Sequence, residues 1–388
     1  MKIVFAAIPA YGHLYPLMPL ALACAEAGHQ VTMAVGSPFL GRLPLPTIPQ
    51  HPPELDLDAG FREAERRHPD LHGMELVVGF FADVTAEAVT GVLLPVFEES
   101  RPDLVIYEAM NVGAGVVASV LDIPAVAYAI TLTHHGPAMV HPAAIRYRED
   151  LWTSRGLQPP QGSPLLSRKL LDPTPPSLRE LSGRLNVTKI PIRPVPYAES
   201  SGTLPAWLKA PRSRPRVYLT LGTVSFGAVE VLRRAVDEIA GLDVDLLVAV
   251  GPEGDPKALG NVPDHVRLER FVDQSRVLPL VDLFVHHGGS GSVLGALSAG
   301  LPQLILPQGA DQFFNADLLL EAGAARRLRN EEQEPGAIRR AVSDLLSDGV
   351  EKSVAQRIQA EIADLPAPAE VVPELGGRTT TPWVTVGG

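Results

Sequence analysis

The sequence is poor in the residues that would place it in several large protein classes. It has one cysteine, Cys24, so no intramolecular disulfide and no cysteine-based zinc site can form. Lysine is scarce, and the 33 basic residues are outnumbered by 44 acidic ones. The net charge of −11 argues against a nucleic-acid-binding surface and against an anionic membrane as main partner. No apolar run reaches the roughly 18 residues of a membrane span. The first apolar stretch, within MKIVFAAIPAYGH, is too short for a signal peptide. The expectation is a soluble, cytoplasmic protein. A GxGxxG turn is missing after the first strand, which disfavours a nicotinamide oxidoreductase. Two Asp-x-Asp strings exist, DLD at 56–58 and DVD at 243–245, but both read as surface turn or strand edge. No metal ligand is expected.

What is present is a repeated α/β pattern. A chain of 388 residues, 46% of them hydrophobic, is long enough for two cores. KIVFAAI reads as a buried strand, LMPLALACAEAGH as a helix closing at Gly28, and QVTMAVG as a second strand. That unit calls for a right-handed crossover and a parallel sheet. RPDLVIYE, NVGAGVVASVLDI and PAVAYAI continue the series. Residues of about 134 to 190 are Pro-rich and read as loops and short helices. The stretch PVPYAESSGTLPAWLKAPRSRP reads as a linker, after which RVYLTLG starts a second series. The predicted architecture is two Rossmann-like, doubly wound parallel-sheet domains facing a cleft. Their bounds are set at 1–200 and 201–365, with 366–388 as a tail that crosses back or frays.

The most informative stretch is VHHGGSGSVLGAL, from 285 to 297, between a strand and a helix. Small residues there expose backbone N–H groups at a helix N-terminus, a geometry that binds phosphate. His286, His287, Ser290 and Ser292 add side-chain donors. Asp311 and Gln312 follow the strand QLILPQ and supply polar groups beyond a phosphate. Thr220, Gly222 and Thr223 occupy another strand-to-loop turn and suit a helix cap or a phosphate contact. Phe271 and Gln274 precede the histidine turn, and an aromatic there can stack on a base or simply fill core. In the first half, His13 follows strand one at the edge where open α/β sheets bind ligands. Its ordinary pKa suits a general base, and the plain alternative is a histidine that holds its loop. Glu108 ends another strand on the same edge, where it can orient His13 or lie in solvent.

These motifs, in this order, resemble the family-1 glycosyltransferases of GT-B fold, and among them the bacterial enzymes that move deoxysugars onto natural products. The resemblance spans the first strand to about Leu365. It is carried chiefly by AYGHLYPLMPLALACAEAGHQV and VHHGGSGSVLGALSAGLPQLILPQGADQFFNADLLLEAGA. It implies His13 as the general base that deprotonates the acceptor hydroxyl. It implies Glu108, where many relatives carry Asp, as the residue that orients the base. It implies His287, Gly289, Gly291 and Ser292 as the diphosphate turn, and Asp311 and Gln312 as the sugar contacts. Phe271 matches the base-stacking position, and Val272 offers backbone bonds to the base. Plant enzymes that use uridine diphosphate sugars carry a ribose-binding Glu three residues after the turn serine, and here that position is Gly295. A buried carboxylate would be left unpaired against a deoxyribose, so Gly295 suits a thymidine diphosphate (dTDP) sugar.

The expected reaction is a single inverting displacement that uses no metal and no cofactor beyond the dTDP-sugar co-substrate. The expected partners are that donor and a hydrophobic, polyketide-like acceptor, with neither nucleic acid nor membrane, and with room for a homodimer. Segments near 51–81 and 134–175 are expected to line the acceptor site. Phe80, Phe81, His134 and His135 are the candidates there, with plain packing as the alternative reading. Three alternatives stay open: a UDP-sugar transferase of the same fold, a GT-B sugar-nucleotide epimerase, and a non-catalytic transferase partner.

Overall fold

The computed structural model describes residues 1–161, 165–181, 185–197, 204–222, 229–251, 254–347 and 349–376. It divides into two compact units. The first comprises Met1–Pro173, Gly183–Val195 and Pro366–Gly388, and the second Thr174–Ser182 and Pro196–Leu365. The boundaries thus differ from simple cuts at 200 and 365. Residues 174–182 group with the second unit, and Pro368–Leu375 forms a helix that packs on the helix Met18–Glu26 of the first.

The first unit is built on a seven-stranded sheet. Its strands are β1 (Lys2–Ala6), β2 (Gln30–Val35), β3 (Thr47–Pro49), β4 (Leu104–Glu108), β5 (Ala125–Tyr128), β6 (Lys169–Asp172) and β7 (Thr188–Pro191). Their order is β3-β2-β1-β4-β5-β6-β7, and every pairing is parallel. Central strands of such a sheet are covered on both faces and read as unbroken apolar runs. β1 and β4 fit this, with four and five buried residues respectively. The order reverses between β1 and β4, which is where open α/β sheets bind ligands, outside the carboxyl ends of the strands. Ala6 pairs with Tyr107, so the loop after β1 and the end of β4 emerge side by side.

The second unit carries six strands: β8 (Arg216–Thr220), β9 (Asp245–Ala249), β10 (Val266–Glu269), β11 (Leu283–His286), β12 (Gln303–Ile305) and β13 (Ala325–Arg327). The order β10-β9-β8-β11-β12-β13 is again all parallel. It reverses between β8 and β11, where His286 pairs with Thr220. In each unit the motif singled out in the sequence therefore sits at the reversal point of its sheet.

The Pro-rich region of 134–190 is more regular than its composition suggests. It holds the helix His135–Tyr147 and both β6 and β7. Those strands have four residues each, too few for a legible period. The helical run Met74–Ser100 is interrupted by Asp83 and Glu87 and so does not read as one apolar stretch in the sequence. At 27 residues it is long and apolar enough to cross a membrane by length and composition, although 56% of its most apolar window is buried inside the protein. Phe80, Val89, Leu93 and Phe97 of this run belong to the core of the first unit.

Candidate active site

The loop after β1 turns at once into the short helix Tyr11–Leu14, which presents His13. His13 Nδ1 lies 3.0 Å from Glu108 Oε1. Glu108 is fully buried at the end of β4. Its Oε1 also accepts from the Ile8 N–H at 3.4 Å, and its Oε2 accepts from the Met110 N–H at 2.7 Å. The extra methylene of Glu over Asp is used here: it lets one carboxylate reach both the imidazole and the turn behind it. An ionised carboxylate only accepts, so Nδ1 carries the proton and the basic lone pair resides on Nε2.

Sequence reasoning missed the buried polar groups that hold this pair. The Gln50 amide donates to the Ala7 carbonyl and accepts from Asn111 Nδ2 at 2.7 Å. The Asn111 N–H donates to the Glu108 carbonyl at 2.8 Å. His141 donates from Nε2 to the Ala109 carbonyl at 2.7 Å and accepts the Leu166 N–H on Nδ1 at 2.9 Å. Burial pushes the His141 pKa down to about 4, so it is neutral. These residues lie far apart in the chain and carry no local motif, although Asn111 directly before a helix is a recognisable cap position.

The four acceptor candidates fall into different settings. Phe80 and Phe81 open a π-helical stretch, Phe80–Thr85. Phe80 is 2% exposed and stacks on Phe61 at 4.1 Å, so it is a packing residue. Phe81 faces His13, with the two rings 6.0 Å apart. His134 is also a packing residue, 4% exposed and bonded to Lys189 Nζ at 2.8 Å. His135 is exposed at the first residue of its helix. Asp83, inside the π-helical stretch, accepts from Arg148 at 2.8 Å and His68 at 3.1 Å and so ties the stretch to its neighbours.

In the second unit, β11 leads through Gly288 and Gly289 into the helix Ser290–Ser298. Gly288 has φ +96°, and a side chain there would collide with Ile305, so only glycine fits. His286 is structural: its Nε2 donates to Gln303 Oε1 at 2.8 Å and its Nδ1 accepts the Gly288 N–H at 3.0 Å. His287 is packed between two glycines. A Cβ on Gly289 would lie 2.5 Å from its Nε2, and one on Gly222 would lie 2.8 Å from its Cε1. Gly222 itself has φ +90°, and its N–H donates to Thr220 Oγ1 at 3.4 Å. Burial lowers the pKa of His287 to about 4 and that of His286 to about 3. Among the described residues, His287 Nδ1 is buried with no hydrogen-bond partner. The first N–H groups of the helix have no acceptors within it, and among the described residues its N-cap, Gly289, supplies no side-chain cap. A Cβ on Gly291 would meet nothing within 4 Å, so this turn is open on one side. Thr223 lies outside the described residues.

Asp311 precedes the helix Gln312–Glu321 and follows Ala310, whose φ of +52° is rare for a non-glycine residue. Asp311 Oδ2 accepts from Ser290 Oγ at 3.1 Å and from Asn315 Nδ2 at 3.0 Å. The Ser290 side chain is thus committed to the loop of Asp311. Gln312 is 5% exposed, and its Oε1 accepts the N–H groups of Gln308 and Gly309 at 2.8 and 3.1 Å. Phe271 is 54% exposed, Val272 is buried, and Gln274 starts the helix Gln274–Val277. Ser292 Oγ lies 3.5 Å from Gln274 Oε1. A Cβ on Gly295 would sit 3.1 Å from Gln274 Nε2 and 3.1 Å from Leu278 Cδ1, so the absent side chain is the space that Gln274 lies across.

Comparison with known proteins adds identity to this geometry. The model of the erythromycin biosynthesis protein CIII-like N-terminal domain matches residues 23–222, and that of the C-terminal domain matches 233–377. The chain is 32% identical to the L-demethylnoviosyl transferase of Streptomyces niveus, over 98% of this chain and 100% of the relative. Among solved structures it is similar to the spinosyn rhamnosyltransferase SpnG complexed with spinosyn aglycone. There the TM-score is 0.81 at 26% identity, covering 97% of this chain and 100% of that one. It is also similar to the glycosyltransferase SsfS6 of Streptomyces sp. SF2575 complexed with thymidine diphosphate. That TM-score is 0.78 at 27% identity, covering 97% and 99% of the two chains.

Proposed function

We propose that this chain, which belongs to the erythromycin biosynthesis protein CIII-like family of glycosyltransferases, moves a deoxysugar from a dTDP-sugar to a hydroxyl of a hydrophobic natural-product acceptor, with inversion at the anomeric carbon. The observation that carries the reading is the His13–Glu108 pair at the reversal point of the first sheet. His13 Nε2 takes the acceptor proton while the oxygen attacks the anomeric carbon, and Glu108 stabilises the imidazolium that forms. The bond between the anomeric carbon and the diphosphate oxygen breaks, and negative charge grows on the leaving group.

The open N-terminus of the helix Ser290–Ser298 meets that charge with backbone N–H groups and the helix dipole. His287, neutral at physiological pH, contributes a hydrogen bond and no charge. We assign no metal to this step. Exposed Phe271 offers a face for the base to stack on, and Asp311 meets the sugar hydroxyls. Two relatives are described as bound to thymidine diphosphate and to a spinosyn aglycone, which supports both the donor and the acceptor class. Gly295 favours thymidine over uridine, since it presents no carboxylate to a ribose 2′-hydroxyl. Calorimetry is expected to give tighter binding of dTDP than of UDP. Tighter binding of UDP would refute the donor assignment.

A further inference from the structure

Asn315 lies in the first turn of the helix Gln312–Glu321 and is fully buried. Its Nδ2 is 2.9 Å from the Gly288 carbonyl, 3.0 Å from Asp311 Oδ2 and 3.1 Å from Ser290 Oγ. A carbonyl and a carboxylate only accept, so they take the two amide hydrogens. The Ser290 hydroxyl keeps its own hydrogen for Asp311. The reverse orientation would set the amide oxygen against two acceptors, which fixes the side chain as it stands. Gly288 belongs to the phosphate turn, and Asp311 belongs to the loop after β12. One buried amide therefore ties the two together. Gln312 holds the start of the same loop through the N–H groups of Gln308 and Gly309. The strained backbone of Ala310 between them is of the kind that persists only where its surroundings over-determine it.

We infer that Asn315 is a positioning residue that couples the diphosphate turn to the sugar-reading carboxylate, holding Asp311 in the orientation in which it meets the hydroxyls of the donor sugar. This rests on the reading of Asp311 as a sugar contact. Asn315 does not touch the donor in this account, and its effect on the sugar is expected to exceed its effect on the nucleotide.

The test compares the affinities of dTDP and dTDP-glucose for the full chain, wild type against Asn315→Asp, between about pH 8 and about pH 5.5. The introduced carboxylate would lie about 3 Å from that of Asp311, and such a pair holds one shared proton at low pH and loses it only above a raised second pKa. At the alkaline end the dTDP-glucose to dTDP affinity ratio is expected to fall about tenfold below wild type, as for loss of a hydrogen bond to a charged group. Toward the acid end the ratio is expected to recover, because a protonated Asp at 315 donates to Asp311 again. The wild type, measured alongside, carries the other titratable groups around this turn. His286 and His287 stay neutral across the range, and Asp317 is paired with Arg327 and Arg329. A ratio equal to wild type at every pH would overturn the coupling, as would equal weakening of both ligands. If Asn315→Asp does not fold, Asn315→Ala removes the amide donor to Asp311 and to the Gly288 carbonyl. It is expected to lower the ratio at all pH values, and an unchanged ratio overturns the proposal. Asp311→Ala separates the failures. If it too leaves the ratio unchanged, the sugar-site reading is wrong. If it alone lowers the ratio, only the coupling is wrong.

Discussion

His13 Nδ1 and Glu108 Oε1 lie 3.0 Å apart although 95 positions separate them in the chain. The carboxylate is fully buried and bonded on both oxygens, so it cannot turn away from the ring. Glu108→Gln keeps the shape and removes the charge that stabilises the imidazolium. The expected loss in kcat is about 10²–10⁴-fold, with donor affinity unchanged. Glu108→Asp is one methylene too short to serve both His13 and the Met110 N–H and is expected to fall between Gln and wild type. Steady-state kinetics checks both, and a wild-type kcat in Glu108→Gln would remove Glu108 from the mechanism.

The packing of His287 between Gly222 and Gly289 makes a second expectation. In Gly289→Ala the new methyl would stand 2.5 Å from Nε2 of His287, so the ring has to shift. Overpacking of this kind costs about 1–3 kcal/mol. Here it should appear as weaker dTDP binding by calorimetry. Unaltered affinity would show that the ring and the turn do not form the phosphate site.

Gly295→Glu is expected to narrow the preference for dTDP over UDP. The new side chain displaces Gln274 and offers a carboxylate that only a ribose can satisfy. A hydrogen bond to a charged group is worth about 1.5–3 kcal/mol, which bounds the change. Competition binding with the two nucleotides measures it, and a preference that does not move would detach Gly295 from sugar-base selection.

Stability should depend on pH through buried imidazoles. His141 in the first unit and His286 and His287 in the second have pKa values lowered by burial to about 4, 3 and 4. Below about pH 6.5 the unfolded chain takes up protons that the folded units refuse. Stability is therefore full above that pH and falls toward pH 4, by up to about 1.4 kcal/mol per pH unit for each imidazole. Thermal unfolding between about pH 8 and about pH 5 checks the slope, and flat profiles would contradict the neutral state of these residues.

Much of this was legible in the sequence because parallel strands are unbroken apolar runs and the site motifs sit where such strands end. The two α/β series follow from that pattern, as does the strand-to-helix turn between β11 and the helix Ser290–Ser298. β6 and β7 did not show, since four residues carry no period. Nor did the roles of Ser290, Gln312 and Asn315 in holding the loop of Asp311, because hydrogen bonds between sequence-distant polar residues leave no spacing to read. The acceptor side was the least legible. Phe81 lies against His13 from within a π-helical stretch that composition does not announce.

The most direct measurement is a single turnover of dTDP-sugar with a hydroxylated polyketide aglycone, following glycoside and dTDP together, for wild type and His13→Ala. The account predicts equal amounts of glycoside and dTDP from wild type, and a rate lower by several orders of magnitude in His13→Ala with dTDP still bound. Unchanged turnover in His13→Ala would contradict it, as would sugar released by wild type at the same rate without acceptor.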